Sequence, residues 1–209
     1  MKKILFIVLL CMLVLTGCSD KNITNSTNET KIERTSINSN TNADMNANTS
    51  STEIKPATQE EIASFSTKIY TKDDANRQNN LQLTCSKLKD VVIKNGETFS
   101  FNDIVGKATT AGGYKEADIF VNGTKKKGMG GGNCQISSTL YNAVLGLPGL
   151  EVLERHSHSG KVYYVEKGFD AAVSYGTYDF KFKNNLGYTI KISMETTGEN
   201  VIAKIFKIT

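Results

Sequence analysis

A glycine-rich stretch delivers a cysteine to the start of a helical pattern: Gly128-Met129-Gly130-Gly131-Gly132-Asn133-Cys134 leads into Gln135-Ile136-Ser137-Ser138-Thr139-Leu140. Glycine removes side-chain obstruction, and the free N–H groups of a first helical turn carry partial positive charge. A thiol placed there favours its thiolate and becomes a nucleophile. The same amides, from Gly131 and Gly132 through Cys134 and Gln135, can hold the oxyanion of an acyl intermediate, with Ser137 one turn further on as a substrate contact. A second cluster, Glu154-Arg155-His156-Ser157-His158-Ser159, holds both histidines of the protein. In an extended segment His156 and His158 project to one face, so either can serve Cys134 as general base. Thiol–imidazole chemistry needs a third polar group to fix the ring's tautomer, and Asp170 and Asp179 are the candidates downstream. Arg155 pairs either with a substrate carboxylate or with Glu154 or Asp170. His-x-His with Cys or Asp also suits zinc, but a helix N-terminus disfavours a cation, so neither a metal nor a cofactor is expected.

The elements that must position these groups follow from periodicity. Ser64 to Tyr70 alternates as a strand, and Asn76 to Val92 has the apolar spacing of a helix ending near Asn95-Gly96. Glu97 to Phe101 is extended. Ile119-Phe120-Val121 and Lys125-Lys126-Lys127 flank Asn122-Gly123, the signature of a tight hairpin with the lysines on a solvated edge. Ile136, Leu140, Ala143, Val144 and Leu147 fall on one face of a helix from Cys134, which stops at Pro148-Gly149. Strands are expected at Val152-Leu153, Val162 to Val165, Ala171 to Ser174, Phe180 with Phe182, Ile190 to Met194 and Val201 to Ile208. Turns at Asn184-Asn185 and Gly198-Glu199-Asn200 make the end an antiparallel meander. The fold class is α+β: a single domain in which the Cys134 helix, preceded by one or two others, packs on a mostly antiparallel sheet.

The N-terminal part has a different character. Met1-Lys2-Lys3 and the 12 apolar residues Ile4 to Leu15 form a secretory signal, too short for a span of ~20 helical residues. It ends in Leu15-Thr16-Gly17-Cys18, a pattern resembling a bacterial lipoprotein box. Residues 1–17 then leave as a signal peptide, and Cys18 is lipidated and anchors the chain to the outer face of the membrane. Between Ser19 and Thr58, Asn, Ser and Thr supply 22 of 40 residues and large apolar side chains are few. Such a segment cannot offset its conformational entropy, so residues 18–58 form a flexible tether and residues 59–209 the folded domain. The domain keeps two cysteines. Cys85, in Leu83-Thr84-Cys85-Ser86, reads as a buried small residue, and a disulfide to Cys134 is the less favoured reading.

The chain has 209 residues, 25 Lys+Arg against 21 Asp+Glu and a net charge of +4, two units of which come from Lys2 and Lys3. No concentrated basic face results, so nucleic acid is not an expected partner.

Phe99-Ser100-Phe101-Asn102-Asp103-Ile104-Val105-Gly106, Gly112-Gly113-Tyr114-Lys115-Glu116-Ala117, the block Gly130 to Ala143, Leu153 to Ser159 and Gly168 to Val173 together resemble the VanW-like domain family, in order and spacing over roughly residues 60 to 190. Asn95 departs from the proline usual before Gly-Glu. The resemblance implies a secreted or membrane-attached bacterial protein. It also implies L,D-transpeptidase activity on peptidoglycan stem peptides, with Cys134 as nucleophile. It favours His158 over His156, because family members vary more at the position matching His156. A cysteine peptidase of the same peptides and a non-catalytic wall-binding or assembly lipoprotein are the alternative readings.

Overall fold

The computed structural model describes residues 58–121 and 124–209. The signal segment, Cys18, the tether up to residue 57 and the Asn122-Gly123 turn lie outside the described residues. Among those described, no helix is long and apolar enough to cross a membrane.

Strand β1 (Gln59–Lys68) is followed by helix α1 (Ala75–Lys87), strands β2 (Val91–Ile93) and β3 (Thr98–Ser100), and the short helix α2 (Phe101–Val105). The hairpin strands β4 (Glu116–Val121) and β5 (Thr124–Met129) lead to α3 (Asn133–Leu145). Strands β6 (Leu150–Glu154), β7 (Lys181–Asn184), β8 (Ile190–Thr196) and β9 (Asn200–Ile208) complete the chain. Every ladder is antiparallel. One sheet has the order β1-β9-β8-β2, a second β3-β7-β6, and β4 and β5 form a separate ribbon. This is the α+β domain expected, with three helices packed against antiparallel sheets.

Alternation explains the larger sheet. Ile190, Ile192 and Met194 on β8 and Val201, Ala203 and Ile205 on β9 are all buried, and the residues between them are only half-buried. Burying each of the larger side chains contributes ~1.5–3 kcal/mol. Helix α3 lies on β1 and β9 through Ile136, Leu140, Ala143 and Val144, and α1 lies on β8. The second sheet is pinned by aromatics: Phe99 stacks on Phe182 with ring centroids 4.9 Å apart, and Tyr141 of α3 meets Phe180 edge-on at 5.6 Å.

Three expectations need correction. Helix α1 stops at Lys87 rather than near Asn95: the Leu88 N–H bonds back to Thr84 O and Cys85 O, and Asp90 takes a positive φ of 59°. The β-branched run Val91-Val92-Ile93 then joins β8 as a strand. Residues 162–165 and 171–174 do not form strands. Both are irregular chain, the second held by the isolated bridges His156–Ala172 and Ser174–Tyr178, with the backbone of Ala171 satisfied by serine side chains of α3. The last strands are not one meander, because β7 pairs with β3 and β6 and only β8 and β9 form a hairpin. Elsewhere Val121 pairs with Thr124, as a two-residue hairpin loop requires. The lysines of β5 are exposed, and Lys125 and Lys127 both grip Asp118.

Candidate thiol active site

Helix α1 presents a polar face inward, and this face sets the glycine loop. Asn80 donates to Gly131 O (3.2 Å) and Lys115 O (2.9 Å), Thr84 donates to Asn133 Oδ1 (2.7 Å), and Arg77 Nη2 donates to Gln135 Oε1 (3.0 Å). The loop accepts only glycine at Gly130, Gly131 and Gly132, the first with φ 74° and its Cβ position 2.7 Å from the Ala108 Cβ. A Cβ on Gly131 would meet Asp118 O at 2.7 Å and the Ala117 Cβ at 2.9 Å, and Gly132 has φ 123°. Gly132 caps α3 with no side-chain hydrogen bond, so the helix start stays open beside Cys134.

Cys134 is half-buried at the floor of a cleft of about 750 Å³, and both described cysteines are free thiols. Its sulfur donates weakly to Val173 O at 3.5 Å, and Cys134 is close enough to His158 to favour the charged imidazole. His158 Nδ1 lies 2.7 Å from Asp170 Oδ2, and the same oxygen accepts the His158 N–H at 2.6 Å. A carboxylate only accepts, so Nδ1 carries the proton and Nε2 is the nitrogen free to take one from the thiol. Arg155 completes the line: its Nη2 reaches Asp170 Oδ1 at 3.0 Å, its Nε donates to Asp170 O at 2.5 Å, and its guanidinium lies over the Tyr141 ring at 5.3 Å. Burial opposes charge on His158, but the hydrogen bond and charge of Cys134 and those of Asp170 outweigh it, and the imidazole titrates above its ordinary value. Burial likewise pushes the Asp170 carboxyl up. The hydrogen bonds of the His158 backbone and ring, with the charges of His158 and Arg155, hold it below its ordinary value instead.

The structure thus brings Cys134, His158 and Asp170 together and leaves His156 and Asp179 apart from the thiol. The chain leaves the β6 ladder after Glu154, so the two histidines do not share partners. His156 Nε2 lies 3.0 Å from Glu154 Oε1, and its ring packs on Tyr178 at 4.6 Å. Asp179 accepts from Ser100 Oγ, Asn102 N and Phe180 N, which fixes the start of α2. Arg155 faces Asp170 and not the cleft. Ser137 is fully buried, with Oγ donating to Ala171 O at 2.6 Å, while Ser138 Oγ accepts from Ala171 N at 2.9 Å. The Gln135 side chain is buried as well, with Nε2 on Thr67 Oγ1 and Lys68 O. The Gln135 and Ile136 amides bond Gly132 O, and the Asn133 amide bonds Gly130 O. Among the described residues, the Cys134 N–H has no backbone acceptor. No group of three His, Cys, Asp or Glu that could hold a metal occurs among the described residues.

Two residues of the site carry no motif in the sequence, Arg77 and Tyr164, both lining the cleft. Burial pushes the Tyr164 hydroxyl well up. The signal for Arg77 is its phase: Arg77, Asn80, Leu81 and Thr84 occupy the inward positions of one helix, where polar residues need partners.

The Glu154 cluster supports a measurable pH effect. The hydrogen bond from Lys181 at 2.8 Å, then that from His156, lowers the Glu154 carboxyl from 4.5 to about 2. A depressed carboxyl stabilises the fold above its unfolded value and loses this as pH falls through the folded one. Glu154→Gln is therefore expected to lower the melting temperature relative to wild type at pH 6. The gap should close as pH falls from about 4.5 towards 2. Thermal unfolding across that range checks it, and a gap independent of pH would contradict the assignment.

Comparison with known proteins agrees with the residue pattern. The chain is 40% identical over 137 residues to the "Uncharacterized protein YoaR" of Bacillus subtilis (strain 168), covering 66% of this chain and 45% of that one. It is 34% identical over 136 residues to the "Vancomycin B-type resistance protein VanW" of Enterococcus faecalis (strain ATCC 700802 / V583), covering 63% of this chain and 49% of that one. It thus spans about half the length of the curated relatives it matches. No solved structure matches. The family described as VanW like protein matches residues 76–206, from the first turn of α1 through β9 and including every residue of the thiol site, and this chain belongs to that family.

Proposed function

We propose that the protein is a cell-envelope acyltransferase that uses Cys134 to transfer peptidoglycan stem peptides, as an L,D-transpeptidase, from a position outside the cytoplasm where lipid on Cys18 anchors it. One observation carries the reading: Cys134 and His158 line one cleft beside an uncapped helix start, and Asp170 holds the His158 ring with Nε2 free of a proton. The printed name of the Enterococcus relative, a vancomycin resistance protein, supports an envelope substrate.

The thiol proton passes to His158 Nε2, and the sulfur attacks the amide carbonyl at the third residue of a stem peptide. The oxyanion is held by the Cys134 N–H and the positive end of α3. When the C–N bond breaks, the imidazolium returns its proton to the leaving amine of the terminal D-amino acid, and a thioester remains. The amine of a second stem peptide attacks this thioester, gives a proton to His158 and forms the cross-link as the C–S bond breaks and the thiol is restored. Water in place of that amine yields a shortened peptide.

The full chain incubated with purified disaccharide-tetrapeptide is expected to give peptide dimers, together with a thioester adduct on Cys134 visible by intact-mass spectrometry. Shortened monomers without dimers replace the transferase reading with a peptidase. No product and no adduct, with the thiol reduced, replace it with a binding or assembly role.

A further inference from the structure

The cleft that holds Cys134 contains a cation to which the mechanism above gives no task. Arg77 lines the cleft with Cys134 and His158. Its position is fixed from several sides. Nη2 donates to Gln135 Oε1 at 3.0 Å, Gln135 is itself tied to β1 through Thr67 Oγ1 and Lys68 O, and the Arg77 stem passes directly beneath Gly132. The guanidinium is therefore held by the residue adjacent to the nucleophile.

This cation lacks an anion. No ion pair among the described residues includes Arg77, and its Nε is buried without a hydrogen-bond partner. The neighbouring carboxylates are occupied. Asp74 Oδ1 caps the helix by accepting the Arg77 backbone N–H at 3.0 Å, and Asp118 is gripped by Lys125 at 2.6 Å and by Lys127 at 2.9 Å. Burial disfavours the charged guanidinium, and those carboxylates and Cys134 only partly compensate. A half-buried cation with no ion-pair partner is left uncompensated, and its planar fork of donors suits a carboxylate.

We propose that Arg77 binds the α-carboxylate of the C-terminal residue of the acyl donor, so that the cleft selects peptides ending one residue beyond the scissile carbonyl. The inference rests on the acyl-transfer reading and specifies its substrate. In such a donor the terminal carboxylate is separated from the attacked carbon by one amide nitrogen and one α-carbon, so a cation beside the Gln135 side chain and a nucleophile at Cys134 address the two ends of the same residue. The contact also explains why an arginine, rather than an apolar residue, occupies this inward position of α1. A peptide that continues past that residue, or whose terminus is amidated, presents no charge to this group.

The test compares disaccharide-tetrapeptide with the same compound carrying a C-terminal carboxamide. Equilibrium binding to the full chain carrying Cys134→Ala is expected to favour the free acid by roughly tenfold, as loss of a charge-assisted pair implies. Adding Arg77→Met should make the two ligands equivalent, and Arg77→Lys should restore part of the preference. Melting temperatures report whether each variant folds, and the amide comparison in the Arg77 protein stands even if the methionine variant does not. Equal binding of acid and amide, binding of neither, or an acid preference that survives Arg77→Met each overturns the assignment. Thioester formation by the wild-type chain separates the two ideas: equal adduct from acid and amide sinks the role of Arg77 and leaves acyl transfer standing. Preferential binding of the acid without any adduct does the reverse.

Discussion

Cys134→Ala is expected to abolish thioester formation and stem-peptide dimers together, with a fall in single-turnover rate of at least ~10⁴, while the protein stays folded. The size follows from the role: without sulfur no covalent intermediate exists, and residual acceleration comes only from binding and the oxyanion donors. Folding survives because Cys134 is half-buried and its thiol makes a single weak bond, to Val173 O at 3.5 Å. Stability is expected to change by no more than about 1 kcal/mol. Rates from quenched single turnovers and a melting curve on the same preparation check both halves. An alanine variant that still makes dimers removes the thiol from the mechanism. A variant that is inactive and also unfolded would show that the site cannot be separated from the fold.

Asp170→Asn is expected to lower the turnover rate by ~10³–10⁴ with a smaller change in affinity. Asp170 Oδ2 accepts both the backbone N–H and Nδ1–H of His158, which keeps Nε2 unprotonated towards the sulfur. An asparagine amide turned to that position donates to Nδ1, moves the proton to Nε2, and points a hydrogen at the thiol that it should receive from. Loss of the carboxylate also removes one of the influences that raise the His158 imidazole, so the ascending limb of the pH–rate profile should move to lower pH. A melting temperature is needed alongside, because Arg155 Nη2 loses its charged partner. Turnover within threefold of wild type, or an unmoved pH profile, contradicts the orienting role. Protonation of Asp170 itself is disfavoured by the same contacts, since they hold its carboxyl below its ordinary value.

Much of this site can be read from spacing alone, and the parts that cannot are instructive. The Cys134 helix, the β4–β5 hairpin and the β8–β9 pair follow from local periodicity and turn chemistry, signals carried by contiguous residues. The end of α1 did not follow, because Val91, Val92 and Ile93 fit the apolar phase of the preceding helix equally well. Their pairing with β8 is decided by a strand a hundred residues away. Residues 162–165 and 171–174 look strand-like by composition, yet the backbone of Ala171 and Ala172 is satisfied by serines of α3 and by His156 O, interactions that no alternation announces. The choice between histidines is also tertiary. Both belong to one short segment, and only the positions of Asp170 and Glu154 assign one to the thiol and the other to the Lys181 cluster. Arg77, placed in an ordinary helix far upstream, has no local mark beyond its inward phase.

The two adjacent serines of α3 have a consequence beyond packing. Ser137 and Ser138 fasten both polar atoms of the Ala171 backbone to the helix that begins beside Cys134, and Ala171 follows directly on Asp170. Cys134 and Asp170 are thereby mounted on one frame, whereas Lys125, Met129 and Tyr163, which line the same cleft, belong to the hairpin and to irregular chain. On the acyl-transfer reading, reactivity and substrate choice are therefore separable: replacing Lys125, Met129 or Tyr163 is expected to change which peptides enter the cleft while the thiol and its histidine keep their places.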